Sequence, residues 1–274
     1  MNIDKWFSNY ISAVMQLNRL LGMRFVWDGK DYKSVGARTP IGEAIKMVSV
    51  FHNRGDYANR NVEISKLSML VKDLQTIGEN DQVLLNEFKR KLHDTSKNWG
   101  TYFGVRMEIN VAASLLRKHV KFVKQESPDF AIPEYGVFIE CGSSHKPDDS
   151  SADIGDKIRT TITEKSRKAY CNLATLLCMD ITNIAAKCGD GGIEILASKN
   201  SVHRMVKQIL SDTNPGYGSI LLFLYFMDTN ESFHSSYWRT DNDTITPALL
   251  AFLDKHYPYG DFKSGPEVGI ARAG

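Results

Sequence analysis

One stretch, residues 127–141, constrains what this chain can fold into more than any other. Two short apolar runs, rich in β-branched and aromatic residues, flank a four-residue segment that begins with Pro133 and ends with Gly136. Proline and glycine mark turns, and extended runs on both sides of such a turn are typical of a β-hairpin. The sequence therefore predicts two antiparallel strands joined at residues 133–136.

The register of this hairpin places two carboxylates together. If Ile132 pairs with Val137, Asp129 falls directly opposite Glu140. Directly opposed residues on one face have Cβ atoms roughly 4.5–5.5 Å apart, and like charges there are destabilising unless a cation lies between them. A carboxylate pair of this kind suits Mg²⁺ and the hydrolysis of phosphodiesters. A surface hairpin with two solvated acids is the alternative that the pair alone leaves open.

Amphipathic helices are predicted on both sides of the hairpin. Upstream, residues 105–116 carry apolar side chains at helical spacing, and Glu108 lies on the edge of that apolar face. Downstream, residues 153–172 form a second predicted helix, whose inner stripe contains Lys165. Lysine is rarely buried unless it is paired, so Lys165 either meets a carboxylate or extends to solvent at the edge of the stripe.

In the order and spacing of these features, the chain resembles the PD-(D/E)xK nuclease superfamily, which has the restriction-endonuclease-like fold. That family has a helix bearing a glutamate, a β-hairpin bearing Pro-Asp and then Glu-x-Lys, and a further helix and strand. The counterparts here are Glu108, Pro128-Asp129 and Glu140-Cys141-Gly142, followed by the second helix and a predicted strand at residues 173–179. The resemblance covers roughly residues 99–227.

The chain departs from the family at one position, because Gly142 stands where the motif has lysine. In some members of the family that lysine is supplied by the following helix. Lys165 lies on the inner stripe of that predicted helix and is the first candidate for this replacement. Lys168 is the second candidate, and Lys146 is the third.

The resemblance implies a metal-dependent nuclease, an endonuclease that hydrolyses phosphodiester bonds. Asp129, Glu140 and the backbone carbonyl of Cys141 would bind Mg²⁺ or Mn²⁺. Glu108 would help to orient a second metal ion or a water, and Lys165 would orient the nucleophile or offset phosphate charge. These five residues are the expected catalytic and metal-binding set.

DNA is the partner that the resemblance implies, with Lys146 and Lys168 as expected contacts. Many nucleases of this fold act as dimers so that both strands are cut, and the sequence leaves a homodimer open. Two other interpretations also stay open. The chain could be a catalytically inactive nuclease-fold protein that serves as a nucleic-acid-binding or protein-interaction module, which Gly142 favours, or a helical interaction protein whose α/β half is structural.

Composition and charge exclude few classes of protein. Of 274 residues, 42% are hydrophobic and 24% are charged, and the formal net charge of +2 is too small to indicate nucleic-acid binding by itself. The longest apolar run, residues 220–227, is far too short to span a bilayer, so no membrane is expected. The four cysteines form no CxxC pair, and no secretory signal precedes the first predicted helix. We therefore expect reduced thiols in an intracellular, cytoplasmic protein.

Periodicity along the chain predicts an α/β protein with three regions. Residues 1–98 form a mainly helical N-terminal region, and residues 99–260 form an α/β core with a C-terminal helix, for which the resemblance implies the restriction-endonuclease-like fold. Residues 261–274 are predicted to be a flexible tail. Alternating strands and helices in the core favour a central mixed sheet flanked by helices. Residues 228–243 are predicted to be a polar loop.

Overall fold

Helices and strands alternate in the second half of the chain and helices dominate the first, as predicted. The computed structural model describes residues 5–27, 32–34, 39–94, 99–143, 154–185, 199–213, 216–227 and 233–259. The strands are β1 (Phe25–Trp27), β2 (Tyr32–Ser34), β3 (Val123–Lys124), β4 (Phe130–Ile132), β5 (Val137–Ser143), β6 (Thr175–Asp180), β7 (Ser219–Met227) and β8 (Phe233–Asp241). The helices are α1 (Lys5–Leu21), α2 (Pro40–Asn53), α3 (Tyr57–Asn80), α4 (Gln82–His93), α5 (Trp99–Arg117), α6 (Ile154–Ser166), α7 (Thr182–Ala185), α8 (Lys199–Asp212) and α9 (Pro247–His256). Within the described ranges, none of these helices is long and apolar enough to cross a membrane.

The chain divides into two compact units, Met1–Arg117 and Lys118–Gly274. The first unit contains α1 to α5 and the short β1–β2 hairpin, which confirms the mainly helical N-terminal region. Helix α5, which carries Glu108, is grouped with this unit, and the predicted domain boundary near residue 98 stays a prediction. The predicted tail, residues 261–274, lies outside the described residues.

The second unit is built on a six-stranded mixed sheet with the order β3-β4-β5-β6-β7-β8. Strands β5, β6 and β7 are parallel, and the remaining neighbours pair antiparallel. The β4–β5 pair is the predicted hairpin, with Ile132 opposite Val137. Gly136 ends the turn with a φ of +62°, a conformation that favours glycine. The predicted fold class and the predicted register are both confirmed.

Helices α6 and α8 pack on one face of this sheet. The buried cluster they share with the sheet includes Ile158, Ile162, Leu177, Met179, Val206, Ile209, Ile220, Leu222 and Trp238. In the β5–β6 register, Glu140 pairs with Leu177 and Gly142 pairs with Met179. Because paired residues project to the same face of a sheet, Glu140 and Gly142 lie on the face that α6 covers.

Helix α6 is shorter than the sequence predicts, because it ends at Ser166 rather than near residue 172. The backbone N–H groups of Arg167 and Lys168 donate to carbonyls three residues earlier, which tightens the chain into turns. The Asn172 side chain then accepts a hydrogen bond from Ala174 N at 2.8 Å, immediately before β6 begins. Local side-chain to backbone bonds of this kind compete with continued helix.

The prediction of a polar loop is wrong at residues 233–241, which form β8; residues 228–232 lie outside the described residues. Strand β8 pairs antiparallel with β7 along its whole length. Trp238 packs into the cluster beneath α6 and α8, while its neighbour Arg239 is buried on the opposite face and paired with Asp241. A buried, paired arginine interrupts the apolar alternation by which a strand is recognised.

Gly218, just before β7, approaches the backbone of another segment. A Cβ atom at this position would overlap the carbonyl oxygen of Leu173 and lie 2.7 Å from Leu249 Cδ2. Because backbone yields less readily than a side chain, we expect Gly218→Ala to lower the free energy of unfolding by about 2–3 kcal/mol in urea denaturation. Gly104→Ala is the control, since open space surrounds that helical position and the change should stabilise by about 0.5–1 kcal/mol. Equal stability of the two variants would contradict the close approach.

Candidate active site

Lys165, in the last turn of α6, reaches strand β5. Its Nζ donates hydrogen bonds to Glu140 Oε1 at 2.7 Å and to the backbone carbonyl of Cys141 at 2.9 Å. The Glu140 side chain is 8% exposed, and that of Lys165 is 24% exposed. A carboxylate buried to this extent is stable only when it is paired. Of the two alternatives for Lys165, pairing with a carboxylate is therefore confirmed, while its role in chemistry stays a prediction.

Gly142 leaves open the space that Lys165 fills. A Cβ atom at residue 142 would lie 2.6 Å from Lys165 Cε and 3.4 Å from its Nζ. Atoms that are not bonded do not approach as closely as 2.6 Å, so a side chain at residue 142 and the present position of Lys165 exclude each other. The side chain of Lys165, which comes from helix α6, therefore occupies the space that a side chain at residue 142 of strand β5 would otherwise fill.

Asp129 lies just before β4, and its carboxylate is held from two sides. Oδ2 accepts a hydrogen bond from the backbone N–H of Cys141 at 2.7 Å, and Oδ1 lies 3.3 Å from Lys124 Nζ. Cys141 therefore joins the two predicted carboxylates, because its N–H binds Asp129 and its carbonyl accepts from Lys165, the partner of Glu140. The structure brings these residues together and gives each carboxylate a lysine partner.

Lys124 is a member of this cluster that sequence reasoning missed. It lies on β3 opposite Phe130, and its side chain is 8% exposed. Its Nζ also donates to the carbonyl of Gln125 at 2.7 Å and lies 5.0 Å from the centroid of the Phe130 ring. Strand β3 has two residues, too few for any periodicity. The one available signal was a lysine four residues before the Pro-Asp pair.

Tyrosine hydroxyls and a thiol surround the Glu140–Lys165 pair. Burial, together with the nearby Glu140 charge, raises the pKa of Tyr170. The Tyr217 hydroxyl donates to the backbone carbonyl of Lys165 at 3.2 Å, which ties the end of α6 to the sheet. Burial raises the pKa of the Cys171 thiol to about 11, so it is protonated at neutral pH. These groups add hydrogen bonds without adding charge.

The sequence also predicts Glu108, Lys168 and Lys146 for the site. Glu108 lies in the first unit, where its Oε2 accepts a hydrogen bond from Lys91 Nζ at 2.7 Å, and its role toward a metal ion or water stays a prediction. Lys168 has an exposed side chain in the turn after α6, a position compatible with the predicted contact with DNA. Lys146 lies outside the described residues.

The donor atoms of the cluster fit a hard cation. Asp129 and Glu140 supply carboxylate oxygens, and Cys141 supplies a carbonyl oxygen that shares Lys165 with Glu140. Mg²⁺ and Mn²⁺ prefer such oxygen ligands, and Mg²⁺ is commonly held by one or two carboxylates with waters completing its shell. No group of three or more His, Cys, Asp or Glu side chains that could hold a metal ion occurs in the described part of the chain. Two carboxylates and one carbonyl are therefore the ligand set to be tested.

Comparisons with protein-family models, with curated proteins and with solved structures found no match to this chain. The resemblance to PD-(D/E)xK nucleases therefore rests on the order of the motifs. The hydrogen bonds at Cys141 concern distances that the motif order does not specify, and they leave the family assignment a prediction.

The bond between Asp129 and Cys141 N–H predicts different consequences for two substitutions. Asp129→Ala leaves the buried N–H without its acceptor, and we expect the free energy of unfolding to fall by about 1–3 kcal/mol. Asp129→Asn keeps an oxygen that can accept this bond, so it should cost less than the alanine variant. Urea denaturation of both variants beside the wild type measures the difference. Equal losses would contradict the importance of this hydrogen bond.

Proposed function

We propose that the chain is a metal-dependent nuclease that hydrolyses phosphodiester bonds, with DNA as the expected substrate. The observation that carries the proposal is the position of the Lys165 ammonium, which lies 2.7 Å from Glu140 and beside Gly142. From α6, Lys165 supplies the positive charge that the PD-(D/E)xK pattern supplies from the third residue of Glu-x-Lys. The departure at Gly142 is then a relocation of the lysine rather than its loss.

Asp129, Glu140 and the Cys141 carbonyl are the groups that would hold Mg²⁺ or Mn²⁺. Such an ion supplies activation of water and neutralises charge on the phosphate. The chain contributes rigidity, since Asp129 is fixed by the N–H of Cys141 and Glu140 is fixed by Lys165. Ligands held before substrate arrives need no rearrangement during the reaction.

Lys165 would orient the attacking water or bind a phosphate oxygen. An ammonium has three N–H donors, and the contacts with Glu140 and the Cys141 carbonyl account for two of them. The third donor would then serve the water or the phosphate. Its side chain is 24% exposed, so the ammonium is close enough to solvent for substrate to reach it. A fixed positive charge at this point stabilises the negative charge that develops in the transition state.

An intracellular location belongs to the same proposal. Among the described residues, Cys141, Cys171 and Cys178 are buried and form no disulfide. Buried free thiols are compatible with a reducing compartment, where DNA is also the accessible substrate.

The direct test is incubation of the purified chain with supercoiled, linear and single-stranded DNA in Mg²⁺ or Mn²⁺. We expect cleavage by the wild type, reduced at least about 100-fold in Asp129→Asn, Glu140→Gln and Lys165→Met, because each removes a metal ligand or the ammonium. Arg159→Met, an exposed change on α6, is the control and should keep wild-type activity. No cleavage of any substrate with either metal would contradict the nuclease and favour the nucleic-acid-binding or protein-interaction module.

A positional swap tests the relocation of the lysine. Lys165→Ala vacates the space beside residue 142, so Gly142→Lys in the same chain can restore the order Glu-x-Lys. We expect the double variant to cleave at least about tenfold faster than Lys165→Ala alone, since an ammonium again lies next to Glu140. Gly142→Lys alone should be less active than the wild type, because two side chains then compete for one space. Failure of a folded double variant to recover any activity would contradict the relocation.

A further inference from the structure

We infer that Lys124 is a positioning residue of the candidate site, which holds the Asp129 carboxylate in place and lowers the affinity of the site for a divalent cation. The inference rests on the proposed function, because Asp129 is one of the proposed metal ligands. It concerns a residue that the Pro-Asp and Glu-x-Lys motifs do not contain.

The burial of Lys124 requires an explanation. Its side chain is 8% exposed, and transfer of an ammonium out of water is unfavourable unless the charge is paired. The groups around it include the Asp129 carboxylate at 3.3 Å, the Gln125 carbonyl at 2.7 Å and the face of Phe130, whose centroid lies 5.0 Å away. Asp129 is the anion among them, and its side chain is 12% exposed. Each residue therefore compensates charge on the other.

The backbone holds Lys124 and Asp129 against each other. Strand β3 pairs with β4 through Val123 opposite Ala131 and Lys124 opposite Phe130. Between them, the N–H of Gln125 donates to the carbonyl of Asp129 at 2.9 Å and closes the loop. With Oδ1 directed to Lys124 and Oδ2 directed to Cys141, the plane of the carboxylate is fixed from two directions.

Lys124 also changes the charge of the cluster. The formal charges of Asp129, Glu140, Lys124 and Lys165 cancel, whereas a site with one lysine would be negative. A neutral cluster attracts a divalent cation less strongly, because the second ammonium repels it at short range. Once loaded, the same cluster carries one more positive charge, which favours an anionic phosphate. Lys124 therefore weakens binding of the metal ion and strengthens attraction of the anionic substrate.

The experiment measures Mn²⁺ binding without substrate, by electron paramagnetic resonance and by isothermal titration calorimetry. We expect Lys124→Met to bind Mn²⁺ about three- to tenfold more tightly than the wild type, since a nearby positive charge is gone while the N–H of Cys141 still holds Asp129. Lys124→Arg keeps the charge and should bind Mn²⁺ within about twofold of the wild type. Lys121→Met, an exposed change in the same segment, should not alter binding.

A cleavage assay on the same proteins supplies the second measurement. Lys124→Met should lower kcat at saturating Mn²⁺ by about tenfold, and Lys124→Arg should recover most of it, because the conservative variant again holds Asp129. If Lys124→Met does not fold, Lys124→Gln, which keeps a hydrogen-bond donor without charge, is measured with the same expectation.

The outcomes separate this inference from the proposed function. Tighter Mn²⁺ binding by Lys124→Met in a chain that cleaves no DNA would support the inference and overturn the nuclease. Unchanged Mn²⁺ affinity in a folded Lys124→Met variant would overturn the inference about Lys124. If the wild type still cleaves DNA in that case, the proposed nuclease function is retained. A wild type that binds no Mn²⁺ would overturn both.

Discussion

A carboxylate buried on the face of a sheet requires a cation, and much of the second unit is arranged around this requirement at Glu140. The side chain lies on the face that α6 covers, and Lys165 reaches it from the end of that helix. This is possible because Gly142 leaves space beside the lysine, and because Ile158 and Ile162 hold the helix on the sheet through the shared core. The pair of Lys165 and Glu140, the glycine at residue 142 and the packing of α6 therefore depend on one another.

The same strand explains why the second carboxylate lies so close. Strand β4 begins at Phe130, opposite Ile139, so in the continued register residue 128 would face Cys141. Pro128 has no N–H that could donate to the Cys141 carbonyl, and the strand pairing ends before it reaches residue 128. Asp129 accepts from the N–H and Lys165 donates to the carbonyl. The early end of one strand therefore gathers two charged side chains around a single buried residue.

Sequence reasoning succeeded where the determinants are local. The hairpin register follows from a proline-to-glycine turn between alternating runs, and the inward direction of Lys165 follows from its place on a helical stripe. It failed where structure depends on a distant partner. Strand β8 is held by β7, and the burial of Arg239 conceals its alternation. Lys124 lies on a two-residue strand whose position depends on β4, so no pattern within the segment indicates that its ammonium meets Asp129.

Gly142 is compatible with an inactive site that has lost its lysine and with an active site whose lysine comes from α6. The geometry around Gly142 gives reason to prefer the second. A site that had simply lost its lysine would leave Glu140 buried beside an empty space, which is unstable by several kcal/mol. A lysine that comes from α6 stabilises the buried Glu140 carboxylate, and in the proposed function the same ammonium acts on the water or the phosphate. A structural role accounts for the pair of Glu140 and Lys165 and for the bond from the Cys141 N–H to Asp129, whereas the proposed metal site requires both carboxylates to bind one cation. In the proposed function both carboxylates, one held by the N–H of Cys141 and the other by the lysine that binds its carbonyl, would also serve as metal ligands.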